Sequence, residues 1–440
     1  MKRLSLYASM LVLVLPSICH AVDMGVNGTT IVRFEQRSVP GFSKTNVVPA
    51  TQFLGIDADK LGSEALSLHL YGWGRVDLDQ RSTAEKSPDG DLSYGYLNYR
   101  FPLADGVFRA GRFFLYEGVA AEQMDGLYAR ADLAKGFTLS AYGGVPVLLD
   151  KDQHSKGDYI VGGRASYRVA GILELGASGL QEGRVLLDKF TGETEDRGLI
   201  GADLWLSPVR MIELTGRTSY NTSTGGVGEH SYLLSLRPIS PLTLSGEFNE
   251  YRFKNYFAFT NTISTVFNSS TGRANSALFD PTTGDILRVY GATVTYMIAK
   301  PLEISLDYHH YDRNTLGNSD RFGGDLRLTL LDNKLRTGAS WHRLHAATGA
   351  NSYHEMRAYA LMDWGKIQTS VDAISDLYDD KIFDRYSAYE LQGSLGYRIV
   401  PNVTLSGDVS YGQNPQLRDE VKGLVRLTFN YNTASKGAGK

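Results

Sequence analysis

The segment from Tyr386 to Tyr431 restricts the fold of this chain more than any other stretch. Apolar and aromatic side chains there fall on every second residue. Over 402–411 the apolar set is Val403, Leu405, Gly407, Val409 and Tyr411, set against Thr404, Ser406, Asp408 and Ser410. Over 420–431 it is Val421, Gly423, Val425, Leu427, Phe429 and Tyr431, with Leu424 the one break in the alternation. Successive side chains of a strand point to opposite faces, so each segment has one apolar and one hydrophilic face. In water the apolar face would need a second layer to cover it. The same alternation recurs along the whole chain, and no helical segment is available as a cover. The arrangement that needs none is a closed barrel with lipid outside and water inside.

The chain begins with a basic pair, Lys2 and Arg3, followed by a mostly apolar run from Leu4 to Leu15 and the stretch Pro16-Ser17-Ile18-Cys19-His20-Ala21. This reads as a secretory signal peptide over 1–21 with cleavage after Ala21, too short to be a membrane span. The barrel is expected over 22–432, with a short tail over 433–440. Cys19 is the only cysteine, so the mature chain has no disulfide, no cysteine-held metal and no c-type haem attachment site. Losing two cations with the leader moves the formal charge from −3 to −5, which gives no nucleic-acid footprint. No later stretch approaches the roughly 18 consecutive apolar residues of a membrane helix.

Turn chemistry sets the architecture. Tight connections are expected at 58–62, 102–106, 133–136, 169–171, 207–209, 239–241, 299–301, 331–333, 364–365 and 400–401, where Gly, Pro, Asn and Asp supply the backbone angles of turns. Between them fall longer polar connections at 79–90, 147–157, 182–197 and 254–284. Such alternation of short and long connections is the pattern of an all-β, single closed antiparallel transmembrane β-barrel of about 22 strands (range roughly 18–22). Both termini then lie on the short-turn, periplasmic side. The first strands are expected at 29–37 and 51–57.

Alternation also assigns faces. Leu66, Leu68, Leu70, Val76 and Leu78 face lipid, as do Ile212, Leu214, Leu302, Ile304, Leu306, Leu326, Leu328 and Leu330. The opposite set gives the pore-lining candidates: Arg75, Asp77, Glu213, Arg217, Glu247, Glu303, Asp307, Asp325, Arg327, Arg336, Glu355, Arg357, Glu390, Arg398, Asp408 and Arg426. A Lys or Arg facing lipid at the midplane costs about 2–4 kcal/mol, so their consistent phase argues for a wet interior. Tyr220, Tyr308, Tyr397, Tyr411, Phe429 and Tyr431 suit interfacial girdles.

The signal peptide, the alternating strands and the aromatic-rich last strand together resemble the porin-like outer-membrane β-barrels of Gram-negative bacteria. The last strand departs from the usual pattern, since nine residues follow Tyr431. The resemblance implies an outer-membrane channel passing small hydrophilic solutes or ions through a polar, mixed-charge lumen, in contact with outer-membrane lipid.

Two further classes are weighed. An outer-membrane enzyme would need clustered catalytic groups. His309 and His310 are adjacent and point to opposite faces, as do His342 and His345, so no enzyme and no cofactor is expected. A barrel of this width without a plug also permits a sleeve around a periplasmic multihaem cytochrome. A plugged transporter is disfavoured because strands begin soon after the cleavage site. Two stretches are candidates for narrowing the bore. One is the loop 254–284 with Tyr256, Phe257, Phe259, Phe267 and Phe279; the other is the connection 117–126 following Arg109 and Arg112, which lie on opposite faces.

Overall fold

The computed structural model describes residues 23–38, 44–80, 87–147, 157–188, 191–256, 265–267, 274–276, 284–315, 317–347, 351–415 and 419–433. The expected leader, 1–21, and residues 434–440 of the expected tail lie outside the described residues. The main sheet contains 23 strands, of which Thr45–Val47 is a three-residue piece lying against the first strand, so 22 encircle the barrel.

In chain order they are β1 (Asp23–Ser38), β2 (Pro49–Asp59), β3 (Leu66–Asp77), β4 (Asp89–Phe101), β5 (Gly106–Glu117), β6 (Ala120–Asp132) and β7 (Phe137–Pro146). Then come β8 (Tyr159–Val169), β9 (Leu173–Asp188), β10 (Glu193–Val209), β11 (Ile212–Asn221), β12 (Gly226–Ile239) and β13 (Leu242–Arg252). The remainder are β14 (Ile286–Ala299), β15 (Leu302–Arg313), β16 (Ser319–Leu330), β17 (Leu335–His345) and β18 (Tyr353–Asp363), followed by β19 (Ile367–Ile382), β20 (Arg385–Val400), β21 (Val403–Gln413) and β22 (Asp419–Asn432). Each pairs antiparallel with its sequence neighbour. The ring closes where β1 meets β22 from Gly25↔Asn432 to Ser38↔Asp419, so the first and last strands present no open edge to each other. The start of β1 is tied to the residue after β22, with the Met24 amide donating to Thr433 Oγ1 at 2.8 Å.

All ten tight turns join the strand pairs expected of them, from β2–β3 to β20–β21. The backbone shows why those residues serve. Lys60, Lys135 and the run Leu331-Asp332-Asn333 hold positive φ, as do Gly62, Gly136, Gly171 and Gly365. The start of β1 and the end of β22 lie at this short-turn end. At the opposite end two expected connections are corrected. The stretch 182–197 is mostly strand, with β9 and β10 running on to a connection at 189–192, and 117–126 narrows to a two-residue turn at Gly118-Val119. The first two strands also run longer than expected, from 23 to 38 and from 49 to 59.

The outside carries a continuous apolar belt. Leu139, Val161, Ile200, Val371, Leu391, Leu395, Val409 and Val425 are all exposed, and Leu306 is 58% exposed. Apolar surface of this extent is stable against another apolar phase, here acyl chains. Tyr220, Tyr308, Tyr397, Tyr411 and Tyr431 flank the belt. Among the described residues no helix is long and apolar enough to span a membrane.

Candidate functional site

Residues directly opposite on paired strands share a face, so the register carries the inner face around the ring. All sixteen pore-lining candidates lie opposite the apolar belt. Most are engaged with one another or with neighbours. Arg217 pairs with Glu229 at 3.1 Å, Arg327 with Glu303 at 3.2 Å, Arg357 with Asp372 at 2.5 Å, and Glu390 faces Lys422 at 3.8 Å. Arg75 lies 3.9 Å from Asp89 on the next strand, Asp77 shares its face, and Glu213 accepts from the Trp205 indole at 3.4 Å. Arg336, Arg398, Asp408 and Arg426 form no ion pair with the described residues. Leu424, the break in the alternation, points inward and lines a recess with Ile31, Arg33, Phe53 and Arg75.

The bore is narrowed by the β5–β6 hairpin. Its lower part belongs to the wall, but β5 leaves β4 beyond Arg112, and β6 leaves β7 beyond Met124. From there the hairpin folds inward over the inner faces of β7 and β8. The Val119 amide donates to Ser178 Oγ on β9 at 3.0 Å, and Val119 lies over Gly201 on β10. The bend runs through glycines facing each other across the ladder, Gly111↔Gly126↔Gly144. Gly111 has φ +127°, and a Cβ at any of the three would strike the neighbouring strand's backbone.

Phe113, Leu115, Ala120 and Met124 of the hairpin bury themselves against Tyr142, Ile160 and Leu180 of the wall, building an apolar core inside the barrel. At its far margin Arg197 on β10 lies between Glu122 on β6, 2.9 Å away, and Glu182 on β9, 3.0 Å away, all nearly inaccessible to solvent. The other side of the hairpin, with Phe114 and Tyr116, is exposed and looks toward the bore. Arg109 lies inside between the Tyr96 and Tyr128 rings, its guanidinium 5.7 and 5.4 Å from their centroids. Arg112 on the opposite face bridges Asp91 and Asp125 at 3.3 and 2.8 Å where the hairpin departs.

A second inner-wall feature joins acids and histidines across six strands. Glu247 on β13 reaches His309 on β15 at 3.2 Å, passing over Gly291 of β14. His309 lies 3.5 Å from Asp307, whose other oxygen is 2.8 Å from His342 Nε2 on β17, reached across Gly323 of β16. His342 Nδ1 in turn lies 3.9 Å from Glu355 on β18. A side chain at either glycine would run into the crossing groups. Arg321 holds Asp307 at 2.9 Å, and Asp325 completes the group on β16. Alternation finds Glu247, Asp307, His309, Asp325 and Glu355 one by one. It misses their union, and it passes over His342, because the contact runs between strands two apart.

Of the loop 254–284, Phe253–Tyr256 forms one helical turn, with Tyr256 against Tyr251 of the inner wall, ring centroids 5.1 Å apart. Asn255 donates to the Val227 carbonyl at 2.7 Å and accepts through its own carbonyl from Asn221 at 2.9 Å. Phe257, Phe259, Phe279 and the Phe267 side chain lie outside the described residues.

A closed ring of 22 antiparallel strands with an apolar exterior and a charged interior defines a porin-like outer-membrane β-barrel, and this fold places the chain in the bacterial outer membrane. No family model and no curated protein matches the chain. Among solved structures it is similar to the siderophore receptor PirA from Pseudomonas aeruginosa, with TM-score 0.57 and 12% identity over 92% of this chain and 80% of that one. A mutant of the ferric enterobactin receptor PfeA from the same organism gives 0.56 and 11% over the same shares. OccAB4 from Acinetobacter baumannii gives 0.44 and 10%, over 95% of this chain and 100% of that one.

Proposed function

We propose that the protein is a channel, and not an enzyme, passing small hydrophilic solutes or ions across the outer membrane. The observation that carries this reading is the inward β5–β6 hairpin, which narrows a charged, water-compatible bore without filling it from all sides. Charges of both signs paired along the wall favour broad passage of polar solutes over strict selection of one ion sign. Both termini are assigned to the periplasm, where short turns belong in such barrels. A sleeve around a periplasmic cytochrome suits the geometry less well, since the hairpin occupies space that a sheathed protein would need. Purified, heat-modifiable protein in planar bilayers tests the proposal. Stepwise currents in KCl are expected, and a folded barrel that inserts without conducting would overturn it. Copurification with a haem protein would favour the sleeve.

A further inference from the structure

The geometry points to a binding site for a divalent first-row transition metal, with zinc as the reference ion, on the inner wall, held by Asp307, Asp325 and His342. These residues lie on three successive strands. A carboxylate oxygen of each aspartate and a ring nitrogen of His342 come within 4.8 Å of one another. Ligands about 2.0–2.2 Å from zinc in tetrahedral array lie roughly 3.4 Å apart, so modest side-chain rotation closes the site. The backbone register fixes the rest: Gly323 lies opposite both Asp307 and His342, and Asp325 lies opposite Ser305 and Ser340. Glycine at 323 keeps open the path by which the imidazole crosses β16.

His342 is 6% exposed, and its enclosed Nδ1 has no hydrogen-bond partner. An imidazole bound to metal through Nε2 presents Nδ1–H to an outer acceptor that fixes its ring, and Glu355 at 3.9 Å is placed for that role. Arg321 and His309 approach the second oxygen of Asp307, at 2.9 and 3.5 Å, and so leave its first oxygen turned toward His342. Asp307, Asp325 and Glu355 set against Arg321 leave two net negative charges around the site, which balance a divalent ion. A ligand set containing imidazole favours zinc and its neighbours over magnesium and calcium, which take oxygen ligands.

The test reads binding and not current, so it stands or falls apart from the channel reading. Barrel purified in detergent and stripped with EDTA is titrated with ZnCl2 by calorimetry in the presence of excess MgCl2. One saturable zinc per barrel is expected. His342→Ala and Asp325→Asn should each weaken it at least as much as Glu355→Gln, for which about a tenfold loss is expected. His345→Ala, on the opposite face, should leave it unchanged. Heat-modified mobility checks that each variant folds; Asp325→Asn, which keeps shape and volume, decides if His342→Ala does not. Absence of saturable zinc uptake by the folded wild-type barrel, or wild-type affinity in Asp325→Asn, would overturn the site and show His342 to be only an ion-pair partner.

Discussion

The backbone amide of Val119 on the β5–β6 hairpin donates to the Ser178 hydroxyl on β9 at 3.0 Å, although β7 and β8 separate the two strands in the ladder. A wall strand makes such a contact only by folding inward. The hairpin therefore takes cross-section from the bore, and removing it should give that section back. Replacing 113–123 by a two-residue turn is expected to raise single-channel conductance several-fold with the barrel still heat-modifiable. Unchanged conductance would mean that the narrow part lies elsewhere.

The bend itself rests on Gly111. Its φ of +127° is a strained conformation for any residue with a Cβ, and a side chain would also meet the Gly95 carbonyl. A non-glycine residue held there costs on the order of 1–3 kcal/mol. Gly111→Val should thus release the hairpin from its folded position. Recordings should show larger, noisier currents than wild type. Gly62→Ala, at a turn with open space around it but φ +72°, should cost stability without changing conductance.

Arg197 is the other fastening. It is buried between Glu122 and Glu182, and deleting it takes from both buried carboxylates the cation that they share. Removing one partner of a buried ion pair costs about 3–5 kcal/mol. Arg197→Met should therefore open the hairpin and expose the segment near Gly118 to protease. The triple variant Arg197→Met, Glu122→Gln, Glu182→Gln removes the stranded charges and should regain protection. Protease resistance in the single variant would show the triad to be dispensable.

How much of this was legible beforehand depends on what each strand touches. Where one face meets lipid and the other water, alternation is enforced, and strands such as β21 and β22 could be traced residue by residue. The ten tight turns followed because their backbone angles demand particular residues. Reading failed where strands leave the bilayer. Beyond the belt, β9 and β10 carry Glu182, Glu195, Asp196 and Arg197, and without lipid to impose a pattern they resemble a loop. The hairpin was hidden for the opposite reason. Phe113-Phe114-Leu115-Tyr116 is apolar on both faces, which breaks the one-sided pattern of a barrel wall. That two-sidedness, with Gly111 and Gly126 beneath it, is the signal of a segment packed inside. The acid–histidine chain needed register, since only pairing shows that Gly291 and Gly323 lie under its crossings.

Selectivity should respond to charge changes on the inner wall according to pairing. Arg327 already shares its charge with Glu303 at 3.2 Å. Arg327→Glu removes one cation and sets two carboxylates side by side, so the local charge falls by two. Reversal potentials in a KCl gradient should move toward cation preference. Arg398→Glu alters a residue without an ion pair among the described residues and should move them the same way. No shift in either variant would place these side chains away from the current path.

The two faces of a wall strand meet different media, and adjacent residues of one strand can test this. Leu391 on β20 is 53% exposed in the apolar belt, and Gln392 beside it points to the other side. If Leu391 meets acyl chains, an arginine there must be held in hydrocarbon, at a cost of about 2–4 kcal/mol near the midplane. The same substitution at Gln392 enters water and should cost little. Equilibrium folding into lipid vesicles over a guanidinium series would measure both. A large loss for Leu391→Arg with near-wild-type stability for Gln392→Arg is expected. Equal losses would mean that the two faces of β20 meet the same medium, which a lipid-embedded barrel with a wet bore does not allow.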